Sequence, residues 1–242
     1  MAQLCFDSLL GSLPESQLKG LRFRFKPLDL SNQEACSVVE DEAFTNPDHR
    51  CTPEKFKYRL SKCSEISYGL FVVDDANDKD RLSRIDPSLR DKLTSNGDAG
   101  SQKLVLVAHA VATMGDSPIV TDRDMDYPKN WRNAQSNGVG HREHGRTICL
   151  HSLAVLPQFQ GIGLGPLLMR AYLRYTDQAG LADRTALLCE ERLIPFYEKL
   201  GFKLLGPSSA QFGGGGWFDM VSLSLHQCCA SMRTAGRGKF HN

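Results

Sequence analysis

Apolar residues along this 242-residue chain fall into two recurring patterns. Seven stretches are continuously apolar or alternate with a period of two, which is typical of strands. These predicted strands cover residues 21–29, 67–75, 103–115, 146–157, 184–190, 202–206 and 217–225. Helical patterns lie between several of them, and this order predicts an α/β fold in which helices cover both faces of a mixed sheet.

Four segments have the apolar spacing and the end signals of helices. They are residues 32–44, 51–63, 164–179 and 195–201. The second has Thr52 as a candidate cap and Pro53 in its first turn, the usual order at a helix start. The third has the clearest amphipathic pattern, and Gly180 directly after it predicts its end.

Two long polar segments interrupt the pattern at about 76–102 and 116–145. Their polar and charged composition and weak periodicity predict surface insertions. We therefore expect a single domain over residues 21–225, preceded by an N-terminal extension at 1–20 and followed by a flexible tail at 226–242.

Composition narrows the possible classes of protein. Apolar residues make up 41%, enough for a sizeable core, and the net charge of +1 gives the whole chain no electrostatic tendency to bind nucleic acid. The sequence has no run of about 18 apolar residues, no secretory signal at its start, and no framework spacing among its eight cysteines. We expect a reduced, cytoplasmic monomer with no membrane or nucleic-acid partner.

The stretch PQFQGIGLGP at 157–166 places three glycines between a predicted strand and the helix that follows it. The first turn of a helix has free N–H groups and the positive end of the helix dipole, and glycines let a ligand approach that backbone closely. Leu164 and Pro166 exclude a P-loop, and neither possible register completes a dinucleotide-binding fingerprint. No lysine or arginine lies within 157–169, so we expect this glycine loop to bind a diphosphate through its backbone amides.

The residues around the loop resemble the acetyl-CoA site of the GCN5-related N-acetyltransferase (GNAT) superfamily. The superfamily motif (Gln/Arg)-x-x-Gly-x-(Gly/Ala) matches Gln160, Gly163 and Gly165, and PFYEKLGF at 195–202 resembles its second signature. Further blocks are similar to the arylalkylamine (serotonin) N-acetyltransferase family: EDEAF (40–44), LHSLAV (150–155), GPLLMRAYL (165–173) and ALLCEERLIPFYEK (186–199). The resemblance implies a seven-stranded, mostly antiparallel mixed sheet with a V-shaped splay between its fourth and fifth strands, and acetyl-CoA as co-substrate.

The resemblance also implies roles for individual residues. His151 matches the family's general base, which deprotonates the amine, and Tyr197 matches the tyrosine that protonates the departing thiolate. Positions near the family's acceptor site correspond to Phe44, Leu188 and Glu190. The resemblance also assigns a set of residues to binding the thioester, the pantetheine arm and the diphosphate of acetyl-CoA. They are Leu153, Ala154, Val155, Gln160, Gly161, Ile162, Gly163, Leu164, Gly165 and Pro166.

One position departs from the family pattern. The family has a His-x-His pair, and Cys149 stands here in the place of the first histidine. Because residues 149 and 151 share one face of a regular strand, we expect Cys149 to line the same cavity as His151. A thiol and an imidazole differ in pKa, so the proton path then rests on His151 and water. Two interpretations of Cys149 stay open: an inert buried thiol, or a nucleophile that carries the acetyl group covalently during transfer.

Two groups of side chains have more than one interpretation. Glu40, Asp41 and Glu42 either attract a polycationic amine or form a solvated helix face. An indole or phenyl acceptor needs an aromatic slot. The candidates for its walls are Phe44, Phe56, Phe212, Trp217 and Phe218.

The predicted function is acetyl-CoA-dependent N-acetylation of a small arylalkylamine or a polyamine by direct transfer. The alternatives are a non-catalytic acyl-CoA-binding module and a protein lysine or N-terminal acetyltransferase. A metal site at His141, His144, Cys149 and His151 is a further hypothesis, but this spacing matches no common zinc pattern and we expect no metal.

Overall fold

An eight-stranded sheet lies at the centre of the computed structural model, which describes residues 2–11, 20–74, 81–96, 102–133 and 138–224. Its strands are β1 (Phe23–Pro27), β2 (Tyr68–Asp74), β3 (Thr94–Asn96), β4 (Lys103–Gly115), β5 (Thr147–Val155), β6 (Arg184–Cys189), β7 (Lys203–Pro207) and β8 (Phe218–Leu223). Their order is β1-β2-β4-β5-β6-β8-β7, with β3 beside β4. These strands pair antiparallel except for β5 with β6. The predicted mixed, mostly antiparallel sheet is confirmed, and the short β3 joins its seven predicted strands.

The sheet splits at its parallel pair. β5 pairs with β6 only over residues 147–150. From residue 151 onward β5 runs to Val155 beside β4 alone, while β6 continues beside β8. A wedge opens between the two strands, which confirms the splay predicted between the fourth and fifth strands.

An irregularity in β5 lies at the start of the wedge. Val111 of β4 is opposite Ser152, whereas the next residue, Ala112, is opposite Leu150. His151 is therefore an extra residue in its strand, a β-bulge. Leu150 and Ser152 pair with successive residues of β4, so their side chains point to opposite faces of the sheet. The period of two is broken at His151.

The described residues form seven α-helices. They are α1 (Ala2–Leu10), α2 (Gln33–Ala43), α3 (Pro53–Lys62), α4 (Pro87–Leu93), α5 (Asp122–Met125), α6 (Leu164–Gln178) and α7 (Ile194–Glu198). The four predicted helices correspond to α2, α3, α6 and α7. Thr52 caps α3 by accepting a hydrogen bond from the Lys55 N–H, and Gly180 follows α6 with a φ of 63°. None of these helices combines the length and the apolarity needed to cross a bilayer.

Part of the predicted extension at 1–20 belongs to the core. Phe6 of α1 is fully buried, and its ring packs against Phe23 and Phe25 at centroid distances of 6.3 and 5.7 Å. α1 is nine residues long and has no acidic residue in its first turn and no basic residue in its last, so the sequence carried little signal for it. The predicted tail at 226–242 lies outside the described residues.

The two segments predicted as polar insertions contain secondary structure. Residues 81–96 of the first form α4 and β3, and Leu82 and Leu93 are buried beneath them. The second contains α5, which Thr121 and Asp124 begin with a reciprocal capping box. These helices and strands are short, and their few apolar positions are separated by charged residues. Hydrophobic periodicity therefore did not indicate them.

Candidate active site

A cavity of about 860 Å³ occupies the wedge between β5 and β6. Most of the predicted site residues line it: Phe44, His151, Leu153, Ala154, Val155, Gln160, Gly161, Gly163, Leu164, Gly165, Pro166, Leu188, Glu190 and Tyr197. Cys149 and Ile162 are not among the described lining residues. A volume of this order suits a small-molecule or cofactor site.

The glycine loop forms one wall of the cavity as the open start of a helix. Gly161 and Gly163 have φ values of 75° and 85°, in the left-handed region that side chains disfavour. Gly163 precedes α6 without a side-chain cap, so no side chain occupies the amides of the first turn. Pro166 is the third residue of α6, where its missing N–H removes no helical hydrogen bond. This cradle of backbone donors fits the diphosphate of acetyl-CoA.

Two residues of the predicted coenzyme set have supporting contacts. The Gln160 side chain donates from Nε2 to the Val155 carbonyl at 2.8 Å, which braces the loop against the end of β5. Ile162 is buried and packs into the hydrophobic core. Ile162 therefore supports the loop from the protein side, while Gln160 both braces the loop and lines the cavity.

The edge of β5 is open along the coenzyme side of the cavity. Leu153, Ala154 and Val155 lie where β5 has parted from β6, and β4 occupies only one backbone edge of this segment. Pantetheine contains amides, which pair with a free strand edge in the manner of an added strand. Backbone donors and acceptors thus lie where the sequence predicts the pantetheine arm.

His151 is held at the bulge through both ring nitrogens. Its Nε2 lies 2.7 Å from Thr113 Oγ1, and its Nδ1 lies 3.2 Å from Met125 Sδ. A hydroxyl both donates and accepts, so Thr113 holds the ring whether Nε2 is an acceptor or, after protonation, a donor. The imidazole can therefore take up a proton without losing its position.

Two cations of α3 act on this imidazole. Arg59 is 2% exposed and donates to the Met125 carbonyl at 3.1 Å, and Lys55 lies one turn earlier on the helix. Burial, followed by the positive charges of Arg59 and Lys55, holds the pKa of His151 well below its ordinary value. His151 is therefore neutral at physiological pH, the state that a general base requires.

Tyr197 projects from α7 into the cavity lining and is 7% exposed. Its ring packs edge-on against Phe196 and Phe202, at centroid distances of 4.9 and 5.5 Å. Burial, with a smaller contribution from Cys189, raises the pKa of the Tyr197 phenol. The hydroxyl consequently keeps its proton throughout the physiological range and has it available to donate.

Cys149 does not line the cavity, which corrects the expectation drawn from strand periodicity. It is fully buried in an apolar cluster with Val120 and Val221. Burial, and then the charge of Asp124, raises the pKa of the Cys149 thiol well above its ordinary value. Cys149 is opposite Thr113, whose hydroxyl contacts His151, so the two side chains are close, and the apolar cluster around the thiol is what separates it from the cavity. A buried, protonated thiol does not serve as a nucleophile.

Four contacting residues that line the cavity form what we call the aromatic pocket: His49, Glu190, Phe212 and Trp217. The ring centroids of His49 and Trp217 are 4.6 Å apart, and Trp217 Nε1 donates to the Phe212 carbonyl at 2.6 Å. His49 Nδ1 lies 3.2 Å from Glu190 Oε1, and Arg192 Nε donates to Glu190 Oε2 at 2.6 Å. The pocket combines aromatic surface with one carboxylate that already has two partners.

Sequence reasoning found only part of this pocket. Three of the five candidate aromatic walls line the cavity: Phe44, Phe212 and Trp217. Phe56 is fully buried in the core, and Phe218 is not among the described lining residues. His49 was not predicted, because its partner Glu190 lies 141 residues further along the chain and no local pattern connects the two.

A buried polar network lies beside the bulge. Glu40 of α2, His109 of β4 and Ser152 of β5 are 2%, 0% and 3% exposed. The Ser152 hydroxyl donates to Glu40 Oε2, and His109 Nε2 lies 3.2 Å from that oxygen and 2.9 Å from Ser152 Oγ. The Cys51 N–H donates to Glu40 Oε1 at 2.7 Å. Burial alone would raise the pKa of Glu40, but the hydrogen bonds from His109, Ser152 and the Cys51 N–H outweigh it and lower the pKa.

This network corrects the interpretation of residues 40–42 as one acidic surface. Glu40 is an interior anion, whereas Asp41 and Glu42 are exposed and Asp41 lies 3.6 Å from Arg50. The sequence carried a signal for the network that was missed, namely a histidine, His109, within the otherwise apolar strand KLVLVAHAVATMG. The three acids do not present a common charge to a polycation.

The four residues of the hypothetical metal site do not converge. His141 Nδ1 lies 3.1 Å from Cys63 Sγ and, with His144, lines a different cavity from His151. Cys149 is buried in its own cluster. Within the part of the chain that the structure describes, no group of three or more His, Cys, Asp or Glu side chains is arranged to hold a metal ion.

Comparison with known proteins points to one family. Residues 123–202 match the model of the acetyltransferase (GNAT) family. The serotonin N-acetyltransferase of Mesocricetus auratus is 28% identical over 202 residues, which cover 81% of this chain and 77% of that protein. The serotonin N-acetyltransferase of Macaca mulatta is 41% identical over 87 residues, which cover 36% of this chain and 43% of that protein.

Two solved structures share the architecture. The loading GNATL domain of CurA from Lyngbya majuscula has a TM-score of 0.56 and 13% identity, covering 85% of this chain and 99% of that one. The GphF GNAT-like decarboxylase in complex with isobutyryl-CoA has a TM-score of 0.55 and 12% identity, and the match covers 83% of this chain and 98% of that one. At these identities the likeness concerns the fold, and it agrees with the splayed sheet described above.

Proposed function

We propose that the chain is an N-acetyltransferase of the GNAT kind, which uses acetyl-CoA to acetylate the primary amine of a small arylalkylamine. The observation that carries the proposal is that one cavity contains the glycine loop, the His151 imidazole, the Tyr197 phenol and the aromatic pocket. The two relatives described above are named as serotonin N-acetyltransferases, which supports an aromatic amine as acceptor.

The cavity lining favours an aromatic monoamine over a polyamine. Glu190 is the one carboxylate among the described lining residues, and it already contacts His49 and Arg192. A polyamine carries several positive charges and is best matched by several anions, whereas an indole or phenyl ring is matched by aromatic walls. Phe212 and Trp217 supply such walls.

The surroundings of the aromatic pocket favour a small acceptor over a protein side chain. The turn at Pro47–His49 packs on the turn at Phe212–Gly214. The approach is so close that a Cβ added at Gly213 would lie 2.9 Å from the Asp48 carbonyl oxygen. These two turns narrow the acceptor side of the cavity, which suits a small amine better than a peptide.

In the proposed transfer, acetyl-CoA supplies the activated acetyl group, the amine nitrogen bonds to its carbonyl carbon, and the carbon–sulfur bond breaks. His151 accepts the first proton that the ammonium loses, through a water molecule where the two groups do not touch. The nitrogen loses a second proton as the carbon–sulfur bond breaks, and Tyr197 donates its phenolic proton to the departing sulfur. Solvent carries the second nitrogen proton back to the phenolate, and the imidazolium releases the first, so that one proton is released for each acetyl group transferred. Residues 153–155 and the glycine loop hold the reacting carbonyl in place.

An amine panel tests the acceptor. With acetyl-CoA in excess and thiol release followed, we expect tryptamine, serotonin and phenylethylamine to have kcat/KM at least roughly tenfold above spermidine, putrescine and a lysine peptide. Trp217→Ala should raise the KM for tryptamine by about tenfold, because a lost aromatic contact is worth about 1.4 kcal/mol. The KM for acetyl-CoA should not change.

Phe218→Ala is the matched control for this prediction, because it truncates an aromatic ring outside the described cavity lining. It should leave the KM for tryptamine within about twofold of the wild type. A preference for spermidine would contradict the proposed acceptor. Absence of thiol release with every amine on the panel would contradict the proposed function itself.

Tyr197→Phe removes only the hydroxyl, and we expect it to lower kcat with tryptamine by about 10- to 100-fold. The ring contacts with Phe196 and Phe202 remain, so the dissociation constant for acetyl-CoA should stay within about twofold in a fluorescence titration. Tyr175→Phe, which removes a hydroxyl outside the described cavity lining, should turn over normally. Normal turnover by Tyr197→Phe as well would exclude Tyr197 as the acid.

A further inference from the structure

The glycine loop has no cation of its own with which to bind the phosphates of coenzyme A. Residues 157–169 contain no lysine or arginine, and the donors of the loop are neutral backbone amides. Coenzyme A carries a diphosphate and a further phosphate on its ribose. Hydrogen bonds from charged donors to phosphate are about twice as strong as neutral ones, so a cation from elsewhere in the chain would strengthen this site considerably.

The topology of the sheet brings residues 81–96 to the same edge as the loop. β2 ends at Asp74, opposite Lys103 at the start of β4. β5 ends at Val155, opposite Ala108 in the middle of β4, and β3 pairs with residues 103–105 further along that strand. The segment 81–96 and the glycine loop after β5 therefore lie next to each other along β4.

Arg81 bridges these two parts of the chain. Its Nη1 donates to the Gln158 carbonyl at 2.9 Å, within the turn that leads into the glycines. Arg81 Nε and Gln158 Oε1 are buried, and neither has a hydrogen-bond partner among the described residues. The guanidinium thus reaches the loop with part of its hydrogen-bonding capacity unused.

The segment that presents Arg81 is firmly packed. Leu82, Ile85 and Leu93 are each at most 3% exposed, and Arg90 Nη2 donates to Asp74 Oδ1 at 2.7 Å. A guanidinium carried on a packed segment loses less conformational entropy on binding a ligand than one on a free loop. Burial of so many apolar side chains explains why a segment that looks like a polar insertion is ordered here.

We propose that Arg81 completes the coenzyme site: it fixes the 157–160 turn through the Gln158 carbonyl and supplies positive charge to a phosphate group of coenzyme A. Gln158 is three residues from Gly161, a span of at most about 11 Å, which is close to the screening length of about 8–10 Å in physiological salt. Neither Arg81 nor Gln158 is among the described cavity-lining residues, so the guanidinium acts on phosphate held by the loop through its field, which is screened less because Arg81 is partly buried. This inference rests on coenzyme binding and not on the identity of the acceptor.

Titration calorimetry on the full chain tests it, with coenzyme A, 3′-dephospho-coenzyme A and pantetheine as the probes. We expect Arg81→Gln to weaken coenzyme A binding by about tenfold, and Arg81→Lys, which keeps the charge but not the planar fork, to weaken it less. Pantetheine has no phosphate, and its affinity should be unchanged. If Arg81→Gln binds 3′-dephospho-coenzyme A as tightly as the wild type does, Arg81 acts on the ribose phosphate. If the loss of affinity persists with that probe, Arg81 acts on the diphosphate.

Lys92→Gln is the matched control, because Lys92 lies on the same segment and is half-exposed. This substitution removes one positive charge, as Arg81→Gln does. It should bind coenzyme A as the wild type does. Three results would overturn the proposal: wild-type affinity of Arg81→Gln, an equal loss in Lys92→Gln, or an equal loss with pantetheine, which would indicate a purely structural role. Because binding is measured directly, failure of the proposed amine acetylation would leave this result intact.

Discussion

Replacing His151 with glutamine should lower kcat by about two to four orders of magnitude, the usual contribution of a positioned general base. Glutamine keeps a polar group near Thr113 but cannot accept a proton in an assay buffer. The measurement is kcat and kcat/KM with tryptamine between about pH 5 and pH 9. The KM for acetyl-CoA should change little, because the glycine loop is untouched.

The pH profile of the wild type follows from the environment of His151. The base is active when neutral, so activity falls as the pH drops through the pKa of His151. Burial and the charges of Arg59 and Lys55 lower that pKa below its ordinary value of about 6.5, so the acid limb should lie below pH 6.5 with a plateau above it. In His151→Gln the limb should vanish. The raised pKa of Tyr197 predicts no alkaline limb near neutral pH.

Cys149→Ala is the control for this experiment. It changes a side chain two residues away on the same strand that does not line the cavity, so the rate and the profile should stay within about twofold of the wild type. A His151→Gln variant that retained both the acid limb and the rate would exclude His151 as the base. Loss of turnover in Cys149→Ala would restore the covalent route.

Glu40→Ala should destabilise the protein by about 3–5 kcal/mol, the range seen when one partner of a buried ionic network is removed. His109, Ser152 and the Cys51 N–H share this carboxylate, and all three would lose their acceptor. Urea denaturation measures the free energy of unfolding. Glu42→Ala removes an exposed acid from the same helix and should change the free energy of unfolding by no more than about 0.5 kcal/mol.

The contribution of Glu40 also has a predictable pH dependence. Its pKa is lowered in the folded state, so the stability it provides is complete above the unfolded value of about 4.3 and is lost as the pH falls through the folded value. The difference in stability between the wild type and Glu40→Ala should therefore shrink below about pH 4. Equal losses in Glu40→Ala and Glu42→Ala, or a difference that does not respond to acid, would show that Glu40 is not a buried anion.

The parts of the site that could be predicted are those written in short stretches of sequence. Three glycines before an amphipathic helix indicate an anion-binding loop, because their spacing and the helix start lie within ten residues of one another. The resemblance to a known family then predicted roles for His151 and Tyr197, which spacing alone would not have separated from ordinary core residues. All these elements lie in one continuous part of the chain, and the structure places them in one cavity.

The parts that could not be predicted depend on register and on distant partners. Cys149 was placed in the cavity because a regular strand alternates, but the side chains that cover its thiol, among them Val120 and Val221, come from other parts of the chain. His49 and Glu190 meet across 141 residues, and Glu40 meets Ser152 across 112. Such pairs form only when separate helices and strands pack together, so they cannot be predicted from the pattern of neighbouring residues in the sequence.

The short pairing of β5 with β6 has one more consequence. Four residue pairs are all that join them, so the sheet consists of two panels that meet along a brief seam. The glycine loop follows the first panel, whereas Glu190 and Tyr197 follow the second. A molecule seated between the panels touches both and supplies the cross-connection that the missing backbone pairs would have made. If acetyl-CoA binds there as proposed, we expect it to hold the two panels together, so that the protein is more rigid with its co-substrate than without it.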